Sequence, residues 1–268
     1  PPVADRDLVK RMTAEVVKMG IKAIVTEEEL LALHNARQDS EHTAVVNHLT
    51  QKAARLVTAI LERIYVQKAQ ALVNGNFVYN ANGVKLNVDF GLDTVKTPTK
   101  LWSDPTADVV GDLINWVKEF EDNNNGASPA SLIISREVML NLMKNSDIIA
   151  QSGLVLTTTR VGQDTVNNVL SAYGIPPVTV VAHSTNTFKD IYTGNTITET
   201  IFDNDRVLLL GNDIGSYKLG PTVENNFNPG ISLDAYDKKE PIESIFKAVA
   251  AGMPAIVRPK QIIRADVL

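Results

Sequence analysis

Residues 45–72 read VVNHLTQKAARLVTAILERIYVQKAQAL, a run without Gly or Pro. Its apolar residues recur at Leu49, Ala53, Leu56, Ile60, Ile64 and Ala71, while Gln51, Lys52, Arg55, Glu62, Arg63, Gln67 and Lys68 take the opposite side. Gaps of three and four lay one apolar stripe along an α-helix, which at 1.5 Å per residue is a rod of roughly 40 Å. It ends at Val73-Asn74-Gly75-Asn76, where Asn and Gly supply the left-handed backbone that terminates helices. The period then switches to strand alternation. Phe77-Val78-Tyr79 and Val84–Phe90 flank Asn80-Ala81-Asn82-Gly83, a strong hairpin signal. A long helix feeding a hairpin is a beam, not a catalytic scaffold.

Upstream of the beam, residues 5–19 place Leu8, Met12, Val16 and Met19 at helical spacing, and Gly20 is expected to end that helix. Thr26 followed by Glu29 has capping-box spacing, predicting a helix to about Ala36 with Glu27–Glu29 as first-turn charge favoured by the helix dipole. Residues 37–44 are polar and read as a link or as the frayed start of the long helix.

Downstream, 91–104 is a Thr- and Pro-rich loop, and Asp104-Pro105 is expected to cap a helix whose apolar face is Val109, Leu113, Trp116, Val117 and Phe120. Asn123–Gly126 marks the clearest boundary in the chain. Beyond it come a strand at 132–134, a helix near Arg136–Lys144, a polar tract at 157–163 and a helix over Asp164–Tyr173. A strand at 178–181, a hairpin from 188–192 to 196–202 and a buried strand at 207–211 complete a compact α/β segment over 131–220. The last segment alternates again. Ile231, Leu233 and Ala235 face one way, a turn covers Asp237–Pro241, and strands follow at 242–250, 254–257 and 262–267. Hairpins on both sides of an α/β insert suggest a discontinuous first domain, 1–128 with 225–268, and a second domain, 129–224, threaded into it.

The composition narrows the function. Of 268 residues 44 % are hydrophobic and 21 % charged, the usage of a globular protein with ample core. No apolar run approaches the roughly 18 residues of a membrane span, and no secretory leader is evident. The start at Pro1-Pro2 without Met reads as a processed or truncated product. The absence of cysteine excludes disulfides, thiolate metal sites and cysteine catalysis. A net charge of −5 without a dense Lys/Arg block argues against sequence-specific nucleic-acid binding, and suits a protein that lies near DNA without adhering to it.

Candidate chemistry is sparse. His34, His42, His48 and His183 lack the spacing of a shared metal site, and the nucleophile-elbow, phosphate-loop and dinucleotide fingerprints do not occur. No cofactor is implied. Gly211–Ser216 after a buried strand reads as a plain turn, since no Lys and no helix follow it. Asp203 and Asp205 could act as acid and base or hold a divalent ion, against the commoner reading of an Asx-rich turn. Arg160, Gly162, Gln163 and Asp164 form a polar loop, either merely solvated or in contact with neighbouring subunits.

Four stretches taken together resemble the major capsid protein E family of tailed bacteriophages. They are the long helix ending Ala71-Leu-Val-Asn-Gly75-Asn-Phe77 with its hairpin to Phe90-Gly91; Trp102-Ser-Asp104-Pro105-Thr106-Ala-Asp108; Val207–Asn212; and the tail from Gly230 through Pro241, Met253-Pro254 and Pro259 to Val267. The resemblance implies an α+β fold, the tailed-phage capsid fold. A peripheral domain with a long spine helix and β-hairpins would be formed by 1–128 and the return strands 225–268, and an α/β axial domain by 129–224. It implies a structural protein, not an enzyme, that self-assembles into hexamers and pentamers of an icosahedral shell enclosing DNA. Scaffolding, decoration and portal proteins would be its partners, with DNA contacted only non-specifically and no membrane. It would be found in the virion after assembly in the host bacterial cytoplasm, with Arg160–Asp164 near the capsomer centre. Little of the sequence can supply the family's N-terminal arm and extended loop. Three other readings stay open: an encapsulin-like compartment holding protein cargo, a small α/β enzyme using Asp203 and Asp205, and a tail or connector component forming a ring or tube.

Overall fold

The computed structural model describes residues 16–34, 39–81, 84–153, 159–182, 184–189 and 196–268. The chain opens with strand β1 (Val17–Thr26), helices α1 (Glu27–His34) and α2 (Asp39–Asn74), and hairpin strands β2 (Asn76–Ala81) and β3 (Val84–Asp89). Helix α3 (Val109–Asn123), strand β4 (Ser131–Ile134) and helices α4 (Arg136–Leu142), α5 (Ser146–Gln151) and α6 (Gln163–Ala172) follow. Strands β5 (Val178–Val180), β6 (Thr185–Lys189), β7 (Thr196–Thr200), β8 (Arg206–Leu210), β9 (Gly215–Gly220), β10 (Ile231–Lys239), β11 (Ile242–Ile256) and β12 (Ile262–Asp266) complete it. The long helix is longer than its apolar stripe predicted, because the polar residues 39–44 join its first turns. Two compact units result, one of Pro1–Ile60, Val78–Val88 and Leu219–Met253, the other of Leu61–Phe77, Asp89–Lys218 and Pro254–Leu268. These divisions fall inside α2 and β11.

The first unit is built on antiparallel strands in the order β1-β11-β10. Residues 17–19, expected to end a helix, are strand: Val17 pairs with Gly252 and the ladder runs to Thr26 opposite Glu243. Helical spacing lost to tertiary pairing, since Val17 and Met19 fit a buried strand face equally well. Gly20 lies within the strand opposite Val249 and ends no helix. The rest of that expected helix lies outside the described residues. The capping box is present, with Thr26 N donating to Glu29 Oε2 at 3.1 Å. Glu29 also takes Lys52 Nζ at 2.5 and 2.7 Å, so α1 is tied to α2, and this pairing lowers the Glu29 pKa. The last hairpin turns tightly at Glu240-Pro241, with Lys239 opposite Ile242. The two strands predicted at 242–250 and 254–257 are one, β11; its ladder to β1 ends at Gly252, so Pro254 lies beyond the point where that ladder needs a donor.

The second unit carries a four-stranded sheet, β12-β8-β4-β5, in which only β4 and β5 run parallel. Helices α3 to α6 cover it through one apolar core that includes Trp102, Leu113, Phe120, Leu142, Ile148 and Leu170. Trp102 and Trp116 stack at 5.6 Å between centroids, and the Trp102 indole N–H donates to Asp112 Oδ2 at 2.9 Å. Asp104 does not cap α3. It closes its own turn on Thr106, and the cap is Asp108, accepting from Gly111 N at 2.9 Å. Gly111 makes that cap possible, since a Cβ there would collide with the Asp108 carboxylate. Helix α5 was not foreseen. Its cap, Asn145, is buried and accepts from the Asp147 and Ile148 amides. The Thr-rich loop after β3 is stitched along β12 by Lys96 N to Arg264 O, Asp266 N to Lys96 O and Trp102 N to Val267 O, at 2.7–2.8 Å. The expected hairpin at 188–202 is β6–β7, with Lys189 opposite Thr196; its loop, like the Asn82-Gly83 turn of the first hairpin, lies outside the described residues.

Candidate functional site

The beam ends on a pair of cations. Helix α2 has no basic residue in its last turn, so its own sequence leaves the negative end of its dipole without compensation. Arg264 on β12, only 8 % exposed, supplies it: Nη1 donates to Val73 O at 3.2 Å and Nη2 to Asp93 O at 2.7 Å. Arg206 Nη1 adds a second bond to Val73 O at 3.3 Å. Burial and then the Arg206 charge depress the Arg264 pKa. Gly75 closes the helix at φ 75° with its N–H on Ala71 O, and a Cβ there would stand 2.7 Å from Arg264 Nη1.

That anchor also takes up one of the two candidate carboxylates, Asp203. Ser184, Thr185, Thr200 and residues 202–206 line a recess of about 370 Å3 that includes Asp203 and Asp205. Asp203 Oδ2 accepts from Arg206 Nη2 at 3.3 Å, and the Asp205 backbone carbonyl accepts from Val267 N at 3.0 Å. Arg206 Nε also lies 2.9 Å from Asp266 Oδ1, without the alignment of a hydrogen bond. Burial raises the Asp266 pKa against the pull of Arg206. Among the described residues the recess is lined, beside these two carboxylates, by hydroxyls, Asn204, Phe202 and Arg206. Among the described residues no three His, Cys, Asp or Glu gather as a metal site, and no helix is long and apolar enough to cross a membrane. His48 faces Glu29 at 3.4 Å, and the side chains of His42 and His183 lie outside the described residues.

The loop singled out in the sequence is presented to solvent. Arg160, Gly162, Gln163 and Asp164 are all exposed, whereas Val161 between them is buried and donates its N–H to Met143 O at 3.0 Å. Gly162 is the N-cap of α6, and a Cβ there would meet open space. A buried Val therefore pins a polar display.

Sequence reasoning missed three features. Gln67, assigned to the polar face of the beam, is 1 % exposed; its Oε1 accepts from Tyr217 Oη at 2.6 Å, and its Nε2 has no partner. Burial drives the Tyr217 pKa far above its ordinary value. Strand β10 is exposed on both faces, with Leu233 and Tyr236 in water at a sheet edge. Between β9 and β10, a turn over 222–228 holds Asn226 and Phe227 at φ 52° and 61°. A positive φ is a conformation bulky residues rarely adopt, and no sequence signal marks Phe227 for it.

The descriptive family model for phage major capsid protein E matches residues 1–267. No curated protein matches the sequence. Among solved structures, a protein assigned as the capsid protein of an Escherichia coli CFT073 prophage aligns with TM-score 0.67 at 12 % identity, over 94 % of this chain and 77 % of that one. A phage-related protein of Bordetella bronchiseptica RB50 aligns with TM-score 0.55 at 12 % identity, over 94 % and 75 %. The capsid of Myoviridae phage XM1 aligns with TM-score 0.52 at 9 % identity, over 95 % and 74 %. At such identities the likeness is one of fold, the tailed-phage capsid fold of mixed helices and sheets. With the family match running through nearly every residue of the beam, the sheets and the tail, the chain belongs to the phage major capsid protein E family and is a structural protein of the phage capsid.

Proposed function

We propose that this chain assembles with copies of itself into hexamers and pentamers of a closed icosahedral shell that encloses phage DNA. The observation that carries the reading is the number of large apolar side chains the first unit leaves in water: Leu31, Val223, Phe227, Leu233, Tyr236 and Ile242 are all exposed. Large exposed apolar groups on a folded protein mark surfaces that a partner covers. Copies meeting head to tail cover them and close rings. In this reading residues 1–128 and 225–268 form the peripheral domain and 129–224 the axial domain, with Arg160, Gly162, Gln163 and Asp164 meeting their counterparts at the capsomer centre.

The net charge of −5 suits an inner surface on which packaged DNA slides without being read. Scaffolding, decoration and portal proteins are the other partners, and assembly takes place in the host bacterial cytoplasm. The chain carries out no catalysis; Asp203 serves the anchor around Arg206. Negative-stain microscopy of the protein as its gene encodes it tests the reading. Closed shells are expected, and only discrete small particles would overturn it. Arg160→Glu combined with Gln163→Glu should abolish capsomers and leave the circular-dichroism melting curve unchanged, since both side chains are exposed.

A further inference from the structure

The turn over 222–228 is ordered out of proportion to what it covers. Thr222, buried, accepts from the Asn225 and Phe227 amides at 3.2 and 2.9 Å, and Asn226 N bonds Val223 O at 3.0 Å, the crossed pair that closes a Schellman turn. Asn225 Nδ2 bonds Asn228 O at 3.1 Å, and Pro221 and Pro229 bridge its base. Glu224 at its centre is gripped by Lys18 of β1 at 2.7 Å and Lys247 of β11 at 2.9 Å. All this fixes two side chains that face water: Val223 is 68 % exposed and Phe227 74 %. A Phe held at positive φ with little packing among the described residues to repay the strain is arranged for a contact outside its own chain.

The same unit offers a recess to receive it. Leu30, Asp237, Lys238, Lys239 and residues 242–244 line an open recess of about 570 Å3 at the tip of the β10–β11 hairpin, more than the volume of a phenyl ring. Its apolar members are Leu30 and Ile242. Its rim is charged, with Lys238 3.9 Å from Glu243 and Asp237 accepting from Ser244 Oγ at 2.5 Å. The amides of Asn225, Asn226 and Asn228 around the knob can donate to and accept from such a rim.

We infer that the Val223–Phe227 knob of one copy seats in the Leu30–Ile242 recess of the next, a contact between copies of this chain. A knob on one copy that enters a recess elsewhere on the next makes a head-to-tail contact, which repeats from copy to copy and closes a ring where the rotation between copies permits. The inference rests on the shell reading and adds the residues that join neighbours. A second copy is favoured over a different partner because knob and recess lie on one chain, each apolar at its centre and polar at its edge.

The chain has no cysteine, so introduced thiols are unambiguous. Phe227→Cys with Ile242→Cys, in the protein as its gene encodes it, is treated with a short bismaleimide after assembly. A covalent ladder beginning at the dimer on a denaturing gel is expected, with neither single variant giving one. Shells that yield only monomer, or only an internally linked monomer, overturn the inference and leave the shell reading standing. Failure of the unmodified chain to form shells overturns the shell reading itself. Phe227→Asp should lower the yield of shells at least tenfold without moving the melting temperature. Full assembly of that variant also overturns the inference.

Discussion

Arg264→Met removes the cation that closes the beam and replaces it with an apolar chain of similar length. Two charge-assisted bonds disappear, to Val73 O and Asp93 O. Such bonds contribute about 1.5–3 kcal/mol each, and a carbonyl left buried without a donor costs more than one left in water. Two effects offset part of the loss. Arg206 still reaches Val73 O, and removing Arg264 ends both its own desolvation and its repulsion of Arg206, the causes that depress its pKa. The net loss is about 2–4 kcal/mol, which in a domain of this size is a fall in melting temperature of about 6–12 °C. Arg264→Lys should recover little, because an ammonium cannot place two donors in the fork that spans Val73 and Asp93. Thermal unfolding followed by near-ultraviolet circular dichroism, where Trp102 and Trp116 report the core, is the assay. A fall of less than about 2 °C would mean that the pair at the helix end is ornament and the reasoning from dipole and buried cation is wrong.

Gly75→Ala should cost roughly 1–2 kcal/mol from the left-handed backbone alone, and more because the new Cβ displaces the Arg264 guanidinium. In the Arg264→Met background the second part vanishes, so urea midpoints of the double variant should show less than additive loss. Tyr217→Phe leaves both polar ends of buried Gln67 without partners and should cost about 1–2 kcal/mol. Adding Gln67→Met should restore most of it; a double variant weaker than Tyr217→Phe would refute the account. The carboxyl of Glu224 is held at about 2, below its ordinary 4.5, first by its hydrogen bond to Lys18 and then by that to Lys247. A depressed acid stabilises the fold above its unfolded pKa and loses that contribution as pH falls toward the folded one. The melting-temperature gap between the native chain and Glu224→Gln should therefore be flat from pH 7 to about 5 and close between about 4.5 and 2. A gap that survives at pH 2 would show that Glu224 acts by shape and not by charge.

The local rules written in single stretches carried through to the structure wherever one face or one cap decided the outcome. The run at 45–72 could only be a helix, because it has no breaker and one stripe. Thr26 and Glu29 marked a helix start three residues apart, and Val207–Leu210, apolar on both faces, could only be a strand buried between neighbours. The four stretches in family order pointed to the capsid fold. What failed locally failed where distant residues chose. The helical spacing of Val16 and Met19 gave way to β11 more than two hundred positions away, which supplied a ladder. Asp104 looked like the better cap, but Gly111 admits the Asp108 carboxylate and the Trp102 indole fixes Asp112 beside it.

The candidate surfaces divide in the same way. The polarity of Arg160–Asp164 is local, and their exposure followed from it. Gln67 and Arg264 are polar residues that only tertiary structure could bury, because their partners, Tyr217, Val73 and Asp93, lie far along the chain. The exposure of Phe227 runs the other way. As a sequence, Phe-Asn-Pro after two Asn residues says only that the chain turns. Whether an aromatic ring at that turn lies in a core or in water depends on which way Glu224 is pulled, and the two lysines that pull it come from opposite ends of the chain, Lys18 and Lys247. Sequence alone determined the long helix, most of the strands and the kind of protein; tertiary structure decided which side chains are left outward, because burial is a property of what arrives from elsewhere.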